Sequence, residues 1–123
     1  MDMELINMLD ERLVRFDFKA ESKEDAICRI ASLFYEAGKV TDRERYIEGI
    51  LAREKEFATG IGMHVAIPHC KSSVVKEASF CMVKLKGELD WGSFDNEPVT
   101  LVIMLAAPAD NDNSHLTMLS TLA

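Results

Sequence analysis

The run Val99-Thr-Leu-Val-Ile-Met-Leu105 constrains this chain more than any other stretch. It follows Pro98 directly, is dominated by branched aliphatic side chains and lacks the polar alternation of a half-solvated strand. Such a run reads as a central β-strand buried on both faces. A strand of that kind must be covered on each side, which points to a layered α/β domain. Residues 79–85 (Ser-Phe-Cys-Met-Val-Lys-Leu) form a second β-rich run, and Gly87, Gly92, Asp95, Asn96 and Pro98 supply turn chemistry between the two.

The rest of the chain supplies the covering layers. Leu5, Ile6, Met8 and Leu9 make one face of a short opening helix. Leu13 to Phe18 reads as a strand, with Val14, Phe16 and Phe18 on one side at period two. Ser22 and Asp25 form a loose capping box before Ala26, Ile27, Ile30, Ala31, Leu33 and Phe34, which recur at helical spacing until Gly38. Thr41 and Glu44 form a stricter box before the stripe Tyr46, Ile47, Ile50 and Leu51. Thr59-Gly-Ile-Gly62 reads as a glycine-bearing loop, followed by a short buried strand at Val65-Ala-Ile67 that Pro68 ends. Pro108 to Asn113 is a polar loop, and Ser114 caps a last helix carrying Leu116, Leu119 and Leu122.

The expected fold is therefore α/β, a mixed parallel and antiparallel sheet of about five strands flanked by helices on both faces. A length of 123 residues fits one domain, and 48% hydrophobic residues suffice for its core. The last helix ends uncapped at Ala123, which predicts that a C-terminal segment belongs to the same domain.

Composition excludes several functions. A net charge of −7 argues against nucleic acid or an anionic membrane surface as the main partner. No apolar run approaches the ~20 residues needed to span a bilayer. The acidic start Met-Asp-Met-Glu lacks the basic n-region and apolar h-region of a signal peptide. Cys28, Cys70 and Cys81 are an odd set without CxxC spacing, which suits reduced thiols in the cytoplasm.

The chemistry is concentrated between Arg53 and Cys70. His69 directly follows a buried strand and a proline, at a strand end where side chains open to ligands. Pro68 fixes its own φ and restricts Ile67, so the backbone entering His69 is stiff. Gly60 and Gly62 permit close approach by a phosphate or another backbone.

The run Thr59-Gly-Ile-Gly…Val65-Ala-Ile-Pro-His69 closely resembles the signature of the fructose–mannitol branch of the phosphotransferase-system enzyme IIA domains. The resemblance extends to Arg53, 16 residues before His69, and to His115, 46 residues after it within Ser-His-Leu. Leu89-Asp-Trp91 and Glu97-Pro-Val99 also match, so nearly the whole chain is covered.

The resemblance implies a cytoplasmic phosphocarrier in which His69 accepts the phosphoryl group. Arg53 would stabilise that group, His115 would donate a hydrogen bond to it or keep His69 oriented, and Thr59 is a further candidate contact. The donor would be the phosphohistidine of HPr and the acceptor an enzyme IIB domain, during fructose-type sugar uptake. No metal or organic cofactor is implied, and the membrane enters only through a IIC component. The alternative within the same resemblance is a nitrogen-type or regulator-attached domain whose phosphorylation controls partner binding.

Histidine suits this chemistry because one ring nitrogen can attack phosphorus while the other holds a proton. A backbone carbonyl accepting from that other nitrogen would fix the tautomer. Arginine offers a planar charged fork for the equatorial oxygens. His64 reads as a surface side chain. Cys70 points away from His69 on an extended chain, which disfavours a Cys–His pair. Asp42, Glu44, Glu48 and Glu54 read as a solvated helix face.

Overall fold

The strand expected at the centre of the sheet lies there. The computed structural model describes residues 9–56 and 58–109. Its elements, in chain order, are β1 (Leu9–Phe18), α1 (Lys23–Glu36), α2 (Arg43–Glu56), β2 (Gly60–Gly62), β3 (Val65–Ala66), β4 (His69–Ser72), β5 (Ser79–Leu89) and β6 (Val99–Pro108). β6 pairs antiparallel with β5 on one side and parallel with both β3 and β4 on the other. β1 runs parallel to the outside of β5, and β2 antiparallel to the outside of β3. The sheet is mixed, as expected, with six strands rather than about five.

The alternation along β5 and β6 separates two apolar layers. Cys81, Val83, Leu85, Val102, Met104 and Ala106 face the stripes of both helices, among them Ile27, Ile30, Phe34, Tyr46 and Ile50. Each of those five helix side chains is fully buried, and such burial is worth about 2 kcal/mol per aliphatic residue. Phe80, Ile103, Leu105 and Ala107 form a second buried cluster with Ile67 on the opposite face. Both described helices thus cover one face. The opening helix through Met8 and the last helix from Ser114, which the sequence reading adds to the layers, lie outside the described residues, as does His115.

Several local expectations change for identifiable reasons. Leu9 opens β1 instead of closing a helix. In that strand Leu13 is the buried side chain while Phe16 is 76% exposed, and a left-handed Asp17 (φ 52°) accompanies the register shift before Phe18. A bulge of this kind breaks the period-two reading. Ser22 caps α1 by accepting from the Asp25 N–H at 3.1 Å, and Gly38 stops it at φ 75°. α2 is capped by Asp42, whose Oδ1 accepts from the Arg45 N–H at 3.1 Å. The Thr41 hydroxyl instead donates to the Val74 carbonyl. Gly87 lies within β5, not in a turn.

The stretch read as a loop at Thr59–Gly62 is half of a hairpin. β2 and β3 are joined by Met63 and His64, both left-handed at φ 57° and 66°, the geometry of a tight primed turn. Met63 and His64 lack the usual Asn-Gly chemistry, and the turn is pinned from outside. The Met63 N–H donates to Asp95 Oδ2 at 3.0 Å, and His64 Nδ1 lies 2.8 Å from the Pro98 carbonyl. Gly60 is an internal packing position, since a Cβ there would fall 2.9 Å from the Ser93 Cα.

Candidate functional site

Pro68 separates two short strands, so His69 opens β4 instead of following the end of one. The segment is fixed on both sides. The Ile67 N–H donates to the Thr59 carbonyl at 3.0 Å, and the Pro68 carbonyl accepts from the Leu105 N–H at 2.9 Å. The His69 ring Nδ1 lies 2.9 Å from the Ile67 carbonyl. A carbonyl can only accept, so Nδ1 carries the proton and the neutral ring keeps its lone pair on Nε2. The sequence reading calls for such a carbonyl, and Ile67 supplies it.

The half-buried His69 and the last turn of α2 border one cleft of about 330 Å³. Gly49, Ala52, Arg53 and Glu56 line it from the helix, at spacings of three, four and seven residues that place them on one face. His69 and Lys71 line it from β4, at period two on one side of the strand. The structure therefore brings Arg53 to His69, as the resemblance implies. It adds two side chains that sequence reasoning missed. Glu56 holds Arg53 Nη1 at 2.9 Å, and Lys71 contributes a second cation. Helical and strand periodicity, applied from Arg53 and His69, would have found both.

Cys70 also borders the cleft but is buried, and burial pushes its thiol up to about 11. It is therefore protonated at neutral pH and no competitor to the imidazole as a nucleophile. Among the described residues, no three His, Cys, Asp or Glu side chains converge to hold a metal ion.

Thr59 does not serve as expected. It is buried, its hydroxyl donates to Glu54 Oε1, and its N–H lies 3.2 Å from Glu54 Oε2. Its hydroxyl is thus tied to a carboxylate and not turned to His69's cleft. Glu54, in turn, is no member of a solvated face. It is 8% exposed, and Oε2 lies 2.9 Å from Lys23 Nζ. That ammonium also donates to the Trp91 carbonyl at 3.0 Å. Glu54 stands four residues after Ile50 and seven after Ile47, so its burial was legible in the helical period.

The network fastens the end of α2 to α1 and to the chain entering β2. Glu54→Gln leaves Lys23 without its counter-charge. Removing one partner of a buried pair costs roughly 3–5 kcal/mol, and the 27% exposure of the Lys23 side chain reduces the expected loss to about 2 kcal/mol. Urea unfolding of Glu54→Gln should therefore show a lower midpoint with an unchanged slope. An unchanged midpoint would mean that the network does not hold the domain together.

Known proteins share this architecture. A family model described as "Phosphoenolpyruvate-dependent sugar phosphotransferase system, EIIA 2" matches residues 7–123. The chain is 35% identical, over 98% of its length, to the "PTS system fructose-specific EIIABC component" of Bacillus subtilis, and spans 19% of that protein. It is 36% identical, again over 98% of its length, to a "Nitrogen regulatory protein" of Klebsiella oxytoca, and spans 75% of it. The crystal structure of nitrogen regulatory protein IIA-Ntr from Neisseria meningitidis superimposes with a TM-score of 0.86 at 28% identity, covering 94% of this chain and 79% of the other.

Proposed function

The chain belongs to the EIIA 2 family of the phosphoenolpyruvate-dependent sugar phosphotransferase system, a family of phosphotransfer domains, and from that premise we propose that it accepts a phosphoryl group on His69 Nε2 and passes it on. The donor is the phosphohistidine of HPr, and the acceptor is an enzyme IIB domain in fructose-type sugar uptake on the cytoplasmic side of the membrane. The observation that carries the proposal is the Nδ1–H···O=C bond to Ile67, which presents Nε2 as the nucleophile beside Arg53.

The step follows from that tautomer. The Nε2 lone pair forms a bond to phosphorus as the donor's P–N bond breaks, and the donor nitrogen leaves with its electron pair. Nδ1 keeps its proton, so the phosphorylated ring gains positive charge, which the Ile67 carbonyl dipole stabilises. Arg53 and Lys71 offset the charge on the equatorial oxygens. Catalysis is then mainly alignment of donor, phosphorus and acceptor, for which a ring held by a proline-stiffened backbone is suited. His115 is assigned a role toward the phosphoryl group by its register in the resemblance alone.

The decisive experiment incubates the purified chain with phosphoenolpyruvate, enzyme I and HPr and then measures its mass. The expected gain is one phosphate, about 80 Da, dependent on HPr and lost in acid. No gain in mass would overturn the proposal. The second reading, regulation through the same phosphohistidine, is favoured by the similarity to the nitrogen regulatory proteins. Adding a IIB domain separates the two, since a transport carrier loses its phosphate to IIB and a regulatory domain retains it.

A further inference from the structure

A glycine in the middle of a helix costs about 0.5–1 kcal/mol relative to alanine, and Gly49 occupies the middle of α2. Its surroundings explain the choice. A Cβ built at Gly49 would lie 2.5 Å from the Cys70 Sγ, far inside van der Waals contact. The thiol of β4 is thus seated where the helix has no side chain. One turn further along the same face stands Arg53, and the residue before Cys70 is His69.

We propose that Gly49 and Cys70 are positioning residues, a paired gap and knob that set the distance between α2 and β4 and so bring the Arg53 guanidinium within reach of a phosphoryl group on His69. The inference rests on the phosphoryl-transfer reading of the site. Gly49 faces the cleft from the helix and Cys70 lies buried under its strand side, so a side chain at position 49 must displace the packed thiol and, through it, shift α2 against β4 at the level of the reacting atoms. A displacement of about 1 Å in such a site can cost up to two powers of ten in rate.

The test is a set of variants read in two ways. In steady-state transfer from phospho-HPr, Gly49→Ala should lower kcat about tenfold with little change in KM, because the docking surface is intact while alignment is lost. Gly49→Ala combined with Cys70→Gly should recover most of that loss, since the space taken by the new methyl is vacated by the thiol. Arg53→Ala should cost much less in the Gly49→Ala background than in the wild type, because both act through the same contact. The second readout needs no turnover: Gly49→Ala should move the Arg53 Nε–H and His69 ring resonances in NMR spectra, and the double variant should bring them back.

Unmoved resonances in Gly49→Ala, a wild-type kcat, no recovery on removing the thiol, or full additivity with Arg53→Ala would each overturn the inference. Absence of any phosphorylation in the wild type would overturn the functional reading instead, and the NMR arm would still decide whether the gap sets the spacing.

Discussion

Replacing His69 by alanine is expected to abolish phosphoryl acceptance while leaving the domain folded. The substitution removes the Nε2 atom proposed to form the P–N bond, and loss of a nucleophile commonly costs 10³-fold or more. Cys70, the neighbouring nucleophile, cannot substitute, because its protonated thiol is buried against α2. The fold does not depend on the ring. His69 is half-buried, and the backbone bonds around it, from Thr59 to Ile67 and from Pro68 to Leu105, involve main-chain atoms that alanine preserves. Substitutions at such positions usually change stability by less than about 0.5 kcal/mol. Mass measurement after incubation with the phosphorylating components should show no added phosphate, alongside a thermal unfolding midpoint within a few degrees of wild type. A phosphorylated His69→Ala protein would mean that another residue is the acceptor.

Arg53→Ala should slow phosphorylation about 100-fold, the equivalent of ~3 kcal/mol in the transition state, as for other preorganised charge-stabilising donors. Arg53→Lys should fall between, since an ammonium keeps the charge but loses the planar fork. Stability should hardly change. The ion pair that is lost, between Arg53 Nη1 and Glu56, lies at the protein surface, where such pairs contribute about 0–1 kcal/mol. Rapid-quench measurement of the labelling rate checks this directly, and a wild-type rate for Arg53→Ala would remove the arginine from the mechanism.

His69 and Arg53 were legible as candidates because each is marked locally. Ile67-Pro68-His69 is a stiff tripeptide after a short apolar strand, and Arg53 sits at the end of a clear helical stripe. Thr59 was misread for the opposite reason. A hydroxyl beside glycines suggests a phosphate contact, yet its partner is Glu54, across the end of α2. Phe16 and Phe18 do not share a side as the period-two reading of β1 expects, because a left-handed Asp17 and a register shift lie between them. Gly60 and Gly62 were taken to welcome a ligand, whereas Gly60 makes room for Ser93 and Gly62 leads into a turn held by Asp95.

What the chain's own order determines is therefore the two described helices, the central strand and the candidate imidazole, because periodicity, proline stiffness and capping act within a few neighbouring residues. What required three dimensions is the electronic state of that imidazole, chosen by the Ile67 carbonyl, and the distance to its arginine, set where Cys70 meets Gly49. The Lys23–Glu54 pair and its bond to the Trp91 carbonyl belong to the same category. Contacts between residues this far apart in the chain leave no local pattern, since the packing of helix on sheet alone decides which of them meet.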